Sequence, residues 1–412
     1  MLNILINAYA VSPNHGSEPG MGWNWVTQIA KYCKVFVITE TEFKIEIENA
    51  VKELSQKNNL VFYFNDIGYK SRKMCWNQGD YRFYYYYRKW QKNTLAIAET
   101  IIFENKIDII HQLNMIGYRE PGYLWKIKDI PFVWGPIGGF NFVKFSYLIS
   151  LGPKKTVFYC LKNFLNYIQT VSSIRVRLAI RRSDLLLAAS SNTQTALQKF
   201  YNKKSIILNE TGCHIPLDNR EFVNTKNQGT FNILWVGRFI PTKLLGLALQ
   251  TIKEIQDLKG LTFHIVGDGI DSNTIKYWYN YAALLGIQNQ CKWHGQIAHK
   301  EVQILMRKSN LLFFTSIVEG TSHVVLESIS NSLPILCFDT CGHGEIVTSD
   351  IGRKIPLENP NKSIMNFAKE IENLYLNRNL LEKMSKNCKS KSVDLSWYSK
   401  GNQMIDFYKS IV

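Results

Sequence analysis

The sequence lacks several features that would assign it to particular classes of protein. None of its eight cysteines forms a CxxC pair, so no zinc site is indicated and we expect reduced, mostly buried thiols. No apolar run reaches the ~18 residues that a membrane-spanning helix needs. No DxD pair occurs, and Gly16, Gly20 and Gly22 do not have the GxGxxG spacing of a dinucleotide site. These absences argue against a metal site held by a DxD pair and against a Rossmann dinucleotide site.

The N-terminal residues MLNILINAYAV have no basic stretch before their apolar run. This pattern predicts a first β-strand and not a signal peptide, so we expect a cytoplasmic protein.

The chain has fewer acidic than basic residues. The chain has 49 Lys and Arg against 33 Asp and Glu, a net charge of +16, which indicates an anionic partner. Tyr69–Lys92 interleaves cations with aromatic residues, and Arg175–Arg182 forms a second basic cluster. The first segment suits the inner face of an anionic membrane, where the protein would bind peripherally, or single-stranded nucleic acid; the alternative is a solvated helical face.

Short apolar runs alternate with amphipathic stretches, which predicts parallel sheets covered by helices. The predicted strands are Asn3–Ala8, Val35–Thr39, Leu60–Phe64, Ile107–Ile110, Pro131–Trp134, Leu185–Ala189, Phe231–Val236, Thr262–Val266, Lys292–His294, Leu311–Ser316 and Pro334–Phe338. The predicted helices are Trp23–Tyr32, Leu95–Asn105, Leu244–Leu258, Lys300–Lys308 and Val324–Asn331.

The polar stretch around residues 217–230 divides this series and predicts a linker. We therefore expect two doubly wound, Rossmann-like α/β domains, residues 1–216 and 231–394, that face a central cleft. In such sheets ligands bind at the carboxyl ends of the strands, which makes the cleft the expected site.

The segment EGTSHVVLE places two carboxylates around a predicted helix start. Glu319 precedes the helix and Glu327 lies inside it, while the amides of Gly320 to His323 would point out of the helix start. Carboxylates accept hydrogen bonds from sugar and ribose hydroxyls. The alternative is that both acids only complement the helix dipole.

A second signal is VGRFIPTK, where Arg238 and Lys243 flank the turn from a strand into a helix. A cation at a helix N-terminus opposes the dipole at a cost of about 0.3–1 kcal/mol. A bound anion would reverse that cost, and Arg and Lys are the usual ligands of a diphosphate. A solvated lysine is the alternative.

In this order, VGRFIPTK, HIVGDG, WHGQIAHKEV, EGTSHVVLE and LPILCFDTCGHGEIV resemble the motifs of family 4 glycosyltransferases. The resemblance covers Phe231–Val347 strongly and the N-terminal half more loosely. It implies the GT-B fold, retention of anomeric configuration, an E-x7-E motif and a nucleotide-sugar donor bound without a metal or other cofactor.

The resemblance also implies roles for single residues. Glu319 would contact the donor sugar, Glu327 the ribose, and Arg238 with Lys243 the diphosphate. His111 would contact the donor or the acceptor, or else be an ordinary strand-end histidine. The remaining donor-site residues that it implies are Gly16, Gly237, Gly320, Thr321, Ser322 and His323.

Two positions depart from the family pattern. Leu244 stands where many relatives have glycine after the lysine, and Leu113 replaces the second histidine of an HxH motif that begins at His111. A C-terminal helix over 395–412 is implied to cross back onto the N-terminal domain, with Trp397 packed at the crossing.

The expected function is transfer of a sugar to a glycan or lipid-linked acceptor in bacterial surface polysaccharide synthesis. The alternatives are a nucleotide-sugar epimerase, an inverting GT-B transferase and, more distantly, a nucleic-acid-binding protein. No nucleic-acid partner is expected, because nucleic-acid binding leaves the Glu319–Glu327 pattern unexplained.

Overall fold

The computed structural model describes residues 1–76, 80–115, 117–140, 142–149, 152–215, 229–269, 271–320 and 322–412. Most of the predicted linker 217–230 and the predicted site residue Thr321 lie outside these ranges. The chain divides into two compact units. The first comprises Met1–Phe140, Tyr167–Thr211 and Trp397–Val412, and the second Asn141–Asn166 and Gly212–Ser396. The predicted first domain, residues 1–216, includes Asn141–Asn166, which the structure groups with the second unit.

Each unit is built on one parallel sheet. In the described residues the strands are β1 Asn3–Ala8, β2 Lys34–Glu40, β3 Leu60–Asn65, β4 Ile109–Asn114, β5 Phe132–Ile137, β6 Leu185–Ala188, β7 Ile206–Ile207, β8 Phe231–Val236, β9 Leu261–Val266, β10 Cys291–Gly295, β11 Leu311–Phe314, β12 Ile335–Phe338 and β13 Gly352–Ile355. Their order is β3-β2-β1-β4-β5-β6-β7 in the first unit and β10-β9-β8-β11-β12-β13 in the second. The predicted α/β class with parallel, Rossmann-like sheets is confirmed.

Helices connect the strands. In chain order they are α1 Ser17–Ile29, α2 Lys44–Lys52, α3 Tyr69–Trp76, α4 Phe83–Glu104, α5 Phe145–Ile149, α6 Pro153–Ser172, α7 Ile174–Arg182, α8 Ser191–Tyr201, α9 Leu245–Glu254, α10 Ser272–Leu284, α11 His299–Lys308, α12 His323–Ser330, α13 Cys341–Ile346, α14 Pro360–Leu376, α15 Arg378–Asp394 and α16 Trp397–Lys409. Where the chain is described, none of these helices has the length and apolarity to cross a membrane.

In both sheets the chain reverses its direction of travel between two central strands. The reversal lies between β1 and β4 in the first unit and between β8 and β11 in the second. Ligands of doubly wound proteins bind outside the carboxyl ends of the strands at such switch points. The loops that follow β8 and β11 are therefore the first place to look for a site in the second unit.

Helix α1 begins six residues earlier than predicted. Gly16 immediately precedes the helix, and Gly20 and Gly22 lie inside it. A Cβ on Gly22 would come within 2.2 Å of the Ala10 carbonyl oxygen, so glycine lets the helix pack directly against the segment after β1. Here the glycines provide close packing and not loop flexibility.

His111 lies in β4 at the centre of the first unit and is fully buried. Its Nε2–H donates to the Gly135 carbonyl oxygen at 2.6 Å, and its Nδ1 accepts from the Tyr408 hydroxyl at 2.5 Å. Burial lowers the pKa of His111 to about 4, so the ring is neutral at physiological pH. Both ring nitrogens are engaged within the first unit, which favours the ordinary strand-end histidine of the two alternatives. Contact of His111 with donor or acceptor stays a prediction.

Tyr408 comes from α16, which belongs to the first unit. The same helix brings Trp397 edge-on to Trp25, with ring centroids 5.5 Å apart. The Nζ of Lys400 donates to the Asn209 carbonyl oxygen at 3.1 Å. Aromatic packing and two buried polar contacts therefore hold the C-terminal helix in this unit.

Tyr408→Phe should lower the free energy of unfolding by about 1–3 kcal/mol, because it leaves the buried Nδ1 of His111 without a donor. Urea denaturation followed by circular dichroism measures this. The exposed Tyr81→Phe variant is the control and should change stability by less than about 0.5 kcal/mol. Equal stability of Tyr408→Phe and the unmodified protein would show that the hydrogen bond to His111 is not structural.

Candidate active site in the second unit

The turn after β8 is held close to the end of β9. Gly237 N–H donates to the Val266 carbonyl oxygen at 3.0 Å. Gly267 has φ +141°, and a Cβ there would lie 1.8 Å from the Gly237 carbonyl oxygen, so only glycine permits this approach. Residues 241–243 form a 3-10 turn, and α9 begins at Leu245.

Leu244 joins the 3-10 turn to α9 in the left-handed conformation, with φ 50° and ψ 44°. Glycine adopts this conformation without strain, which gives a physical reason for the glycine that the family pattern has here. The Leu244 side chain is buried in the apolar core of the second unit. Its burial offsets the strain of the left-handed backbone.

The loop after β11 carries the first of the two predicted carboxylates. It runs from Thr315 to Ser322, and Ser322 precedes α12 without a hydrogen bond from the helix to its side chain. The carbonyl oxygen of Gly320 accepts from the Gly342 N–H at 3.2 Å. That contact ties the loop to the start of α13.

Lys243 and Glu319 form an ion pair between these two loops. The Ser316 hydroxyl donates to the same carboxylate oxygen, Oε1 of Glu319, at 2.7 Å. The Lys243 side chain is 15% exposed and that of Glu319 is 19% exposed, so the pair is largely shielded from water but can still be reached. Shielding strengthens the attraction and makes loss of either partner costly.

Hydrogen bonds between the two loops support the ion pair. Ile317 N–H donates to the Thr242 carbonyl oxygen at 3.0 Å, and the Thr315 hydroxyl donates to the Lys243 carbonyl oxygen at 2.7 Å. The indole Nε1–H of Trp235 in turn donates to the Thr315 hydroxyl at 3.0 Å. The position of Lys243 is therefore set by its backbone as well as by its charge.

The second predicted carboxylate, Glu327, lies in α12 and accepts a 2.9 Å hydrogen bond from His299 Nε2. His299 is the first residue of α11 and its side chain is mostly exposed. The hydrogen bond to Glu327 raises the pKa of His299 above its ordinary value. Sequence reasoning missed His299, although it lies in the quoted motif WHGQIAHKEV.

The other predicted donor-site residues are distributed over both units. Gly237 and the exposed Arg238 lie in the turn after β8, and Gly320, Ser322 and His323 surround the start of α12. In the first unit, Gly16 is the exposed residue before α1, and a Cβ there would meet no atom within 4 Å. Gly16 thus faces open space on the carboxyl side of β1.

A buried histidine that sequence reasoning did not select lies near the ion pair. His343 is fully buried in α13, and neither of its ring nitrogens has a hydrogen-bond partner. Its ring meets the edge of Phe314, centroid to centroid 5.1 Å, and the Nζ of Lys243 lies 5.3 Å from the same Phe314 centroid. Burial and the charge of Lys243 lower the pKa of His343 to about 3, so it is neutral.

Among the residues that the structure describes, no group of three His, Cys, Asp or Glu side chains is placed to hold a metal ion.

The Lys243–Glu319 pair can be tested by a double-mutant cycle on stability. Lys243→Met should lower the free energy of unfolding by about 1–3 kcal/mol, between the values for exposed and fully buried pairs. Adding Glu319→Gln should then cost less than it does alone, with a coupling of roughly 1 kcal/mol. The exposed pair Lys362–Glu358, 3.6 Å apart, is the matched control and should show almost no coupling. Additive effects of Lys243→Met and Glu319→Gln would contradict the ion pair.

The Glu327–His299 contact can be tested by titration. The raised pKa means that the charged pair stabilises the fold below the ordinary His pKa of about 6.5. That contribution is lost as the pH rises through the higher folded value. NMR titration of the His299 ring should show a pKa above the ordinary value, and Glu327→Gln should lower it. Glu301→Gln, on the same helix, should leave it unchanged; a shift of equal size would show that general charge and not Glu327 is the cause.

Comparisons with known proteins found one family model and one curated relative that match this chain. A family model described as glycosyl transferases group 1 matches residues 218–391. An uncharacterized glycosyltransferase of Methanocaldococcus jannaschii is 27% identical over 226 residues, which are 53% of this chain. The match spans 57% of the length of that curated relative.

Solved structures resemble the whole chain. HepE of Anabaena, in complex with UDP, has a TM-score of 0.64 at 14% identity, and the alignment covers 100% of both chains. The lipopolysaccharide outer core galactosyltransferase WaaB has a TM-score of 0.61 at 14% identity, covering 98% of this chain and 99% of its own. Residues 218–391 are therefore similar to a glycosyl transferases group 1 domain, and the chain has the two-sheet α/β fold of GT-B glycosyltransferases.

Proposed function

We propose that the chain transfers a sugar from a nucleotide-diphosphate sugar to a glycan or lipid-linked acceptor. We also propose that it is a retaining, metal-independent enzyme of family 4, in which EGTSHVVLE is the E-x7-E motif. The observation that carries the proposal is the Lys243–Glu319 ion pair at the β8–β11 switch point, inside the region that the group 1 family model matches.

The chemistry requires stabilisation of the nucleotide diphosphate as negative charge builds on it. Lys243 and Arg238 lie in the turn after β8, where they can contact a diphosphate at the strand ends. Positioned cations supply this stabilisation without reorganisation during the reaction. The pairing with Glu319 keeps the Lys243 ammonium at that turn before the donor binds.

The carboxylates supply acceptors for hydroxyl groups. Glu319 lies beside Lys243 and would bind the donor sugar next to the diphosphate, while Glu327 would bind the ribose. His299 orients the Glu327 carboxylate through the 2.9 Å contact. A nucleotide donor agrees with the HepE structures, which hold UDP, UDP with glucose, or UDP-glucose.

The proposed setting is bacterial surface polysaccharide synthesis, with peripheral attachment to the inner face of the cytoplasmic membrane. WaaB, a lipopolysaccharide galactosyltransferase, is one of the similar structures and supports this setting. Tyr69–Lys92 stays a predicted membrane contact. In the structure, however, Arg72 is paired with Glu40 at 3.0 Å and Arg88 with Glu120 at 2.7 Å.

Transfer can be tested by screening UDP- and GDP-sugars for ligand-induced thermal shifts and then for product. Lys243→Ala and Arg238→Ala should each lower kcat/KM by about 100- to 1,000-fold, the range seen when one charge-stabilising group is lost. Lys253→Ala, an exposed lysine in the last turn of α9, is the matched control and should keep near-normal activity.

Near-normal turnover in both Lys243→Ala and Arg238→Ala, with the fold intact, would overturn the diphosphate role. The anomeric configuration of the product, read by NMR, separates retention from inversion. Undiminished activity in a metal chelator is expected, and loss of activity that Mg²⁺ or Mn²⁺ restores would overturn metal independence. Formation of an isomerised nucleotide sugar without acceptor would identify an epimerase instead.

A further inference from the structure

Helix α6, Pro153–Ser172, is almost entirely exposed. Of its 20 residues only Thr170 is buried. A helix at a protein surface ordinarily buries its apolar stripe against the core. Helix α6 contains many large apolar residues and leaves them in solvent.

The exposed apolar side chains form one continuous face. They are between 36% and 69% exposed, and we call them the α6 face: Val157, Phe158, Leu161, Phe164, Leu165, Ile168 and Val171. At 3.6 residues per turn these seven positions fall within an arc of roughly 140°. An apolar arc of this width is typical of a helix that has a partner.

The opposite side of α6 is polar and contacts the protein. The Thr156 hydroxyl donates to the Leu148 carbonyl oxygen at 2.7 Å, and the Asn163 amide donates to the Val143 carbonyl oxygen at 3.0 Å. The Thr170 hydroxyl is hydrogen-bonded to the Tyr118 hydroxyl at 2.6 Å. These polar residues recur every seven positions, so the helix is held by its polar side with the apolar face turned outward.

The sequence on either side of the helix carries formal charge of one sign, although Arg175 is paired with Glu120 at 3.2 Å and Arg182 with Asp184 at 2.6 Å. No acidic residue occurs between Asp129 and Asp184. The eight cations in that interval are Lys144, Lys154, Lys155, Lys162, Arg175, Arg177, Arg181 and Arg182. Lys154 and Lys155 stand at the start of α6, and Lys162 borders the α6 face.

We propose that the α6 face inserts into the headgroup region of an anionic lipid bilayer. An apolar helical face with flanking lysines and no acids matches both parts of such a surface: the acyl boundary takes the apolar side chains, and the anionic headgroups take the lysines. Phe158 and Phe164 would place their aromatic rings at the boundary between the headgroups and the acyl chains. The helix lies on the membrane and does not cross it, in agreement with the absence of a spanning helix from the described residues.

This surface is distinct from the predicted contact at Tyr69–Lys92. In that segment Phe83, Tyr87 and Trp90 are buried in the core of the first unit. The proposal does not depend on the glycosyltransferase activity, because membrane binding is measured without donor or acceptor.

The test is sedimentation of the full chain with vesicles of phosphatidylcholine alone or with phosphatidylglycerol added. Binding should require the anionic lipid. The triple variant Leu161→Ser, Phe164→Ser, Ile168→Ser should weaken binding about a hundredfold or more, because three apolar side chains no longer insert. Lys154→Gln, Lys155→Gln, Lys162→Gln should weaken it by a similar factor and make the remaining binding less sensitive to salt.

Two control variants isolate the surface. Phe103→Ser, Leu284→Ser, Leu376→Ser removes three exposed apolar residues elsewhere and should bind as the unmodified protein does. Lys383→Glu, Lys389→Glu reverses two exposed charges on α15 and should also retain binding. Circular dichroism confirms that each variant is folded.

Three results would overturn the proposal. They are equal binding to both kinds of vesicle, unchanged binding of the Leu161 triple variant, and a concentration-dependent dimer without lipid that this variant abolishes while no vesicle binding is seen. The last result would assign the α6 face to a second copy of the chain.

Discussion

The geometry of the candidate site in the second unit depends on the attraction between Lys243 and Glu319. These residues are 76 positions apart and belong to loops that follow the neighbouring strands β8 and β11. Their charges are largely shielded from water, so the attraction is stronger than that of a surface pair. Removing either partner would leave a poorly solvated charge beside the loops that carry Arg238 and Gly320.

The backbone shares in this constraint. Bonds from Ile317 and Thr315 to the turn at Thr242 and Lys243 hold the two loops together even without the charges. The left-handed backbone at Leu244 turns the chain sharply into α9, which keeps Lys243 at the end of the 3-10 turn. The ion pair, the hydrogen bonds between the loops and the backbone conformation therefore hold the Lys243 ammonium group in one position.

Two parts of the chain show different uses of apolar residues. Tyr69–Lys92 reads in sequence as a basic and aromatic surface, yet several of its aromatic rings pack in a core, and its cations Arg72 and Arg88 are paired with acids. Helix α6 is rich in large apolar residues, as a core helix is, yet these residues are in solvent. Both segments combine large apolar or aromatic residues with Lys or Arg, and only the burial of the side chains shows which segment exposes its apolar residues.

From the sequence alone follow the α/β class, most strands to within two residues, and the basic turn and the acidic segment as two separate signals, because hydrophobic period and strand-end chemistry are local. Sequence reasoning missed β7, which is two residues long, and β13, whose strand contains Arg353 and Lys354 and so lacks an apolar run. The predicted start of α1 was also too late, because the sequence does not show that Gly22 packs against the segment after β1. Three features follow only from the tertiary structure: the hydrogen bonds of His111 to Tyr408 and Gly135, the contact of His299 with Glu327, and the outward orientation of the apolar face of α6. Each of these depends on which distant residues the fold brings within a few ångströms, and a local pattern does not carry that information.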